Sequence, residues 1–314
     1  MAERIAAAAD ITGIGLTLLP VHYQYGGCDK RPLGDGQIRF GNDPERFAKL
    51  YEESAKALKS LPSDTRMGVA PHSLRAVGRE DLIATTKLSK DGPIHMHLAE
   101  QIAEVDEVSA FWGKRPVEWL LENADVDENW CLIHCTQMVE HETLRLAKTG
   151  AVAGLCPITE SSLGDGIFDG VRYLDAGGNI GIGSDSNIRI SLSEELRTLD
   201  YSQRLRDNSR AALATPDHST GRRLFDAAAK GGAQAACRNS GKIEVGALAD
   251  LMALDGSAVD LIGRTGDTIL DTYIFAGDDR MVRDVWSAGR HVVTDGHHIA
   301  HDAITDEYRK VMEQ

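Results

Sequence analysis

Four places in the sequence set ionisable side chains at the end of an apolar run, and together they could hold a metal and move protons. They are His72 with Arg75, His97 with Glu100, His134, and Asp185. The most telling stretch is Ile94-His95-Met96-His97-Leu98-Ala99-Glu100-Gln101, which follows Gly92-Pro93 and passes from apolar to polar. A buried parallel strand that delivers side chains at its C-terminal end reads this way. His95 and His97 are two apart and so point to one face of such a strand. Imidazole nitrogen and carboxylate oxygen suit zinc, and a catalytic zinc keeps one position open for water. The metal lowers the pKa of that water toward neutrality. His97 and Asp185 are therefore the candidate metal ligands, with an Asp beside the water able to take its proton. Glu100 is placed to carry a proton to a leaving amine. His134 fits either a ligand or a hydrogen-bond partner of the reacting centre. Arg75 offers a planar fork for a substrate carboxylate, with His72 three residues before it.

Each of these residues also has a plainer reading. The 94–98 run could be a core strand with incidental histidines, and Asp185 a helix N-cap in Ser184-Asp185-Ser186. His134 could be a satisfied core histidine, and Arg75 a surface arginine. Glu100 could simply favour the first turn of a following helix. What favours chemistry is recurrence. Four strand ends carry the same pattern, and burying charges without partners is costly. His95 reads as structural, one layer deeper than His97. His22, His141, His218, His291, His297, His298 and His301 fall in loops or the tail and receive no role.

The elements that must position these groups follow from the same pattern. Residues 2–12 are helical, 14–21 a buried strand, and 23–41 a long polar loop. Asn42-Asp43-Pro44 caps a helix running to about 60, and 67–71 is a strand ending in His72-Ser73-Leu74-Arg75. A helix at 79–90 leads to the strand at 94–98, and a long helical region covers 101–123, with Pro116 at a helix start. Strands at 131–135, 151–156 and 180–185 follow, with a helix at 140–149 between the first two, and helices at 192–212 and 219–237 after the last. Residues 157–166 read as a polar exit, as does Ser184-Asp185-Ser186-Asn187.

Alternating strands and helices mean parallel βα units. Polar residues repeated at strand C-termini are the habit of a TIM barrel, whose active site lies on that face. Six strands are expected where such a barrel has eight, so a (β/α)8 barrel lacking its first strands is predicted over 1–238, with a six-strand open sheet as the competitor. From 239 to 314 the texture changes to short strands with Gly turns, part of a small β-sandwich subdomain closed by a helix at 303–313.

Composition narrows the partners. The chain has 314 residues, 26% of them charged, with a formal net charge of -14. No Lys/Arg cluster stands against that charge, which argues against nucleic acid and anionic membranes and leaves a small-molecule substrate. No apolar run is long enough to span a bilayer. The five cysteines form no CxxC pair and read as reduced thiols of a cytoplasmic protein. A homodimer is one assembly left open, and a partner chain that completes the barrel is another.

The sequence resembles the amidohydrolase superfamily in His-x-His-Leu-Ala-Glu at 95–100, Ile-His-Cys at 133–135, Cys-Pro at 156–157 and Gly-Ser-Asp-Ser at 183–186. Gly-x-Leu-Ala-Asp-Leu at 246–251 looks like that superfamily's C-terminal sandwich. Within it, the chain is most similar to the formimidoylglutamate deiminases. The discriminating pieces are Gly13 to Val21, Ala70-Pro71-His72-Ser73-Leu74-Arg75, and Cys156-Pro157-Ile158-Thr159-Glu160 with Leu163-Gly164-Asp165-Gly166-Ile167-Phe168. Related aminohydrolases usually carry Asn in place of Glu160. The resemblance implies one zinc per chain, with His97 and Asp185 as ligands and Asp185 also as the base. It implies Glu100 as the acid/base and His134 as the stabiliser of developing charge. His72 and Arg75 become substrate-binding residues, Arg75 holding a carboxylate of a glutamate moiety. The implied reaction is hydrolysis of the formimidoyl group with release of ammonia.

The family's first strand ends in a further His-x-His that supplies two more zinc ligands, and no such strand precedes residue 94 here. Two of four protein ligands should bind zinc weakly. The chain is therefore expected to be the C-terminal two-thirds or so of such an enzyme, with weak zinc binding and little turnover by itself. The alternatives are another amidohydrolase deaminase, acting on a nucleobase or guanidino compound, and an inactive fragment or pseudoenzyme.

Overall fold

The computed structural model describes residues 1–89, 91–186 and 189–313, so Lys90 and Asn187 of the expected elements lie outside the described residues. Helix α1 (Ala2–Thr12) stops at Gly13, whose φ of 69° is left-handed. The expected strand at 14–21 is two short ones, β1 (Thr17–Leu18) and β2 (Val21–His22). Pro20, with no N–H to give, sits in the break. Their parallel partners β3 (Arg66–Met67) and β4 (Ala70–Pro71) are likewise two halves of one run. Between them α2 (Pro44–Ala57) starts as its sequence dictates. Asp43 caps the Arg46 N–H, and Pro44 takes the first turn, where a missing N–H costs nothing.

Helix α3 (Arg79–Thr86) leads to four parallel strands in sequence order: β5 (Ile94–Leu98), β6 (Trp130–His134), β7 (Val152–Leu155) and β8 (Asn179–Ile182). A parallel bridge from Val69 to Ile94 joins β3/β4 to β5. The strands therefore run β1/β2, β3/β4, β5, β6, β7, β8 around one parallel arc, six strand positions as expected.

Helices α4 (Ile102–Trp112) and α5 (Pro116–Asn123) fill the long helical region expected at 101–123, the second beginning at Pro116 as expected. Gly113 ends the first in a left-handed turn (φ 77°), and Pro116 opens the second. After β6 comes α6 (Glu140–Leu146). The polar exit at 157–166 holds a helix, α7 (Pro157–Leu163), and α8 (Gly170–Asp175) follows it; neither was expected. Both are short, and the glycines at 164 and 166 mask their period. Helices α9 (Leu192–Asp207) and α10 (Thr220–Ala235) complete the layer.

Alternation in β5 decides what faces where. Ile94, Met96 and Leu98 are buried against the helices, while His95 and His97 occupy the alternate face. Leu132, Leu155 and Ile180 of the neighbouring strands are buried in the same core. Each such side chain contributes about 1.5–3 kcal/mol. Helix α10 presses on β8 so closely that a Cβ at Gly231 would lie 1.9 Å from the Ile180 carbonyl oxygen.

Past α10 come a short α11 (Thr268–Asp271), continued by a wider turn over Thr272–Ala276, and an antiparallel sheet in the order β12-β11-β10-β9. Its strands are β9 (Leu251–Leu254), β10 (Val282–Ser287), β11 (Arg290–Thr294) and β12 (His297–His298). Of the short strands with Gly turns expected from 241 to 254, one forms, at the end of that stretch. The hairpin turn falls at Ala288-Gly289, both at positive φ as a two-residue hairpin demands. Helix α12 (His301–Met312) ends the described chain. Among the described residues no helix is long and apolar enough to cross a membrane.

Candidate active site

The ends of β5, β6 and β8 turn sharply. Ala99, His134 and Asp185 all have φ between 51° and 71°, a region non-glycine residues avoid. Strained backbone at three strand ends is the kind of cost retained at functional sites. It aims the side chains that follow into one space. The rings form a row: Tyr23 to His72 at 4.3 Å, His72 to His97 at 4.7 Å, and His97 to His134 at 5.7 Å between centroids.

His97 Nδ1 donates to the His72 carbonyl oxygen at 3.0 Å, which leaves Nε2 with a free lone pair. A metal ligand requires that arrangement. Burial lowers its proton affinity, so the ring stays neutral. His72 is also kept neutral: burial, then the neighbouring His97 and Arg75, push it down to about 3. His95 bonds the Ala235 carbonyl at 2.8 Å and is the structural neighbour the sequence suggested.

His134 is the hub. It is 1% exposed, with Nε2 3.6 Å from Glu100 and 3.9 Å from Asp185, and Nδ1 3.2 Å from Glu160. Burial opposes its charge, but the Glu160 hydrogen bond and the surrounding carboxylates outweigh it, so its proton affinity rises. Glu100 shifts upward as well, chiefly by burial. An acid drawn toward neutral pH is suited to passing a proton. Glu100 is held in place by Glu104, whose carboxylate accepts from the N–H groups of Ala99 (3.1 Å) and Glu100 (2.9 Å).

Arg75 is half-buried and, among the described residues, has no ion pair or hydrogen bond. Its charge acts on both His72 and Glu100, which puts it at the same mouth. All six residues singled out in the sequence thus converge. The ligand atoms of His134, Cys156 and Asp185 lie within 4.8 Å of one another, the geometry a metal ion needs, and His97 stands beside them. The donors are imidazole, carboxylate and thiol, and they fit zinc.

Several residues were not assigned roles from sequence. Cys156 and Glu160 were visible only as motif letters. Glu104 and Glu195 sit in helices and look like surface charge until burial is known. Glu195 is 1% exposed and accepts from the Ile158 N–H at 2.8 Å. Burial, with Glu160 and Asp185 near, pushes it up to about 7. Gln101 donates to the buried Asp165 at 3.1 Å, tying the loop after α7 to the strand end that bears Glu100.

A parallel arc with ionisable groups gathered at its C-terminal mouth defines a metal-dependent hydrolase of the barrel type, and the comparisons agree. The chain matches the amidohydrolase family over residues 3–292, and it belongs to that family. It is 45% identical over 311 residues to the formimidoylglutamate deiminase of Pseudomonas aeruginosa, a match that covers 98% of this chain and 68% of that protein. The crystal structure of an amidohydrolase from Brucella melitensis superposes with a TM-score of 0.93 at 48% identity, covering 99% of this chain and 68% of that one. An adenosine deaminase from Xanthomonas campestris, crystallised with zinc, shares the fold with a TM-score of 0.83 at 24% identity; the match covers 100% of this chain and 70% of that one. The expected amidohydrolase barrel is therefore the fold class.

Proposed function

We propose that the site formed here serves the hydrolytic deimination of N-formimidoyl-L-glutamate to N-formyl-L-glutamate and ammonia, with little turnover expected of these 314 residues by themselves. The supporting observation is the convergence of His72, Arg75, His97, Glu100, His134 and Asp185 on one mouth, in a chain 45% identical to a formimidoylglutamate deiminase. His97 and Asp185 would hold zinc, with His134 and Cys156 alongside. When bound, the metal supplies a Lewis acid that lowers the pKa of water.

The chain's own residues do the rest. Arg75 pairs with a substrate carboxylate through its planar fork, and the neutral His72 offers a hydrogen bond beside it. Asp185 accepts the proton of the attacking water. Glu100, whose carboxyl burial shifts upward, passes a proton to the departing nitrogen, so that ammonia leaves rather than an amide anion. His134 Nε2 faces the same space and stabilises the charge that develops on the formimidoyl carbon's substituents. The substrate is a small polar molecule and the five thiols are unpaired, which fits a cytoplasmic setting. A homodimer remains the assembly to test, by light scattering.

The deciding experiment is ammonia release from N-formimidoyl-L-glutamate by the purified chain in excess zinc. Excess is needed because His97 and Asp185 are two of the four ligands implied by the resemblance. Calorimetric binding of N-formyl-L-glutamate, lost in Arg75→Ala, gives a second readout. Release from guanine or cytosine, with none from formimidoylglutamate, would overturn the assignment.

A further inference from the structure

Glu160 is a buried carboxylate that the reaction just described does not use. It is 4% exposed and lies in the first turn of α7. Its Oε1 accepts from the Cys156 N–H at 3.0 Å and lies 3.2 Å from His134 Nδ1. Among the described residues, its only ion-pair partner is His134. Glu195, buried behind it, holds the start of the same helix through the Ile158 N–H.

We propose that Glu160 is a positioning residue that fixes His134 with a proton on Nδ1 and so reserves Nε2 for the reacting face. The argument is one of donors and acceptors. Glu160 Oε1 already accepts from the Cys156 N–H, which can only donate, so this oxygen presents its lone pairs to Nδ1. A bare Nδ1 would place its lone pair against that oxygen in a site closed to water, where unmatched polar atoms are expensive. Nδ1 therefore carries hydrogen. Nε2 is left facing Glu100 and Asp185, where a proton or a metal can be exchanged. In such carboxylate–imidazole pairs the outer partner sets which nitrogen works. Glu160 does this from the helix after the next strand, so the β7 exit controls the chemistry of the β6 exit.

The inference rests on the reading of His134 as a working imidazole of the deimination. Its test is nitrogen-15 NMR of the full chain with labelled histidine, using two-bond proton couplings, with His134→Asn to assign the signals. The expected wild-type spectrum shows Nδ1 proton-bearing. Glu160→Ala loses that signature and moves the proton to Nε2. Glu160→Gln keeps it, because the amide oxygen still accepts. A bare Nδ1 in the wild type, or an unchanged tautomer in Glu160→Ala, overturns the proposal. Should Glu160→Ala fail to fold, the wild-type and Glu160→Gln spectra decide, since a bare Nδ1 in either is contrary. Adding N-formyl-L-glutamate separates the two claims. A correct tautomer that does not respond to it supports Glu160's role and removes the functional reading.

Discussion

Two clusters of charge, each with a buried centre, occupy opposite ends of the parallel strands, and they are built on opposite rules. At the N-terminal ends, Asp64 pairs with Arg290 at 2.9 Å and with Arg238 at 3.1 Å, and Arg238 reaches Asp250 at 3.1 Å. Arg290 also donates to the Gly13 carbonyl at 2.9 Å, and Asp250 accepts from the Ala288 N–H at 2.7 Å. Every charge there has a fixed partner of opposite sign, and the network clasps the barrel to the antiparallel sheet. At the C-terminal ends stand Glu100, Glu160, Asp185 and Glu195. Among the described residues none of these is paired to Lys or Arg, and three of them share the single imidazole of His134. The balanced cluster is a fastening. The unbalanced one keeps room for a partner that comes and goes: a proton, a metal or a cationic amidine. Carboxylates left without a counter-charge carry a desolvation cost, which marks this end as the candidate site.

The largest effect should come from breaking the fastening. Arg238→Ala leaves Asp64 and Asp250 short of a cation at a site where the arginine side chain is 8% exposed. Removing one partner of a buried pair costs about 3–5 kcal/mol. Urea denaturation followed by circular dichroism should show this loss, with the site's product binding unchanged at low denaturant. A loss under about 1 kcal/mol would mean the network behaves as a surface salt bridge. At the other end, Asp185→Asn should leave stability nearly intact while weakening zinc binding about 100-fold, on the scale of losses around metal ligands. Competition with a chromophoric chelator measures it. An unchanged affinity would move the metal to other donors.

The two ends were not equally legible in the sequence. The mouth could be read because strand periodicity is short-range. Once Ile94–Leu98 is taken as a strand, alternation sets His95 and His97 on the inward face, and Glu100 must leave at the exit. The same logic located His72, His134 and Asp185. The fastening could not be read, because Asp64, Arg238, Asp250 and Arg290 are joined only by tertiary contact, across separations of up to 226 residues. Glu104, Glu160 and Glu195 were missed for a related reason. A carboxylate in a helix looks solvated until the other layers close over it, and no local pattern reports that closure. The breaks in the expected elements have local causes. Pro20 divides the first strand, a signal that periodicity alone overrides too easily, and Gly113 ends the helix that precedes the expected start at Pro116.

A smaller effect distinguishes the clusters by sign. Glu195 titrates at about 7 in the fold against 4.5 for an ordinary glutamate. Below pH 4.5 the carboxyl is protonated folded or unfolded and contributes no pH dependence. Between the two values the unfolded chain releases its proton while the folded chain keeps it, so stability falls as pH rises through that window and stays lower above it. Asp64 runs the other way. Arg290 and then Arg238 hold it at about 2 against 3.8, so its contribution is present above 3.8 and lost as pH falls toward 2. Glu195→Gln keeps an acceptor for the Ile158 N–H but has nothing to ionise. It should be more stable than wild type at pH 8, by about 1–2 kcal/mol, and equal to it near pH 4. Thermal melts at the two pH values make the comparison. A variant that is less stable at pH 8 would show that Glu195 has an unseen cationic partner, and the contrast between the two ends of the strands would then fail at its mouth.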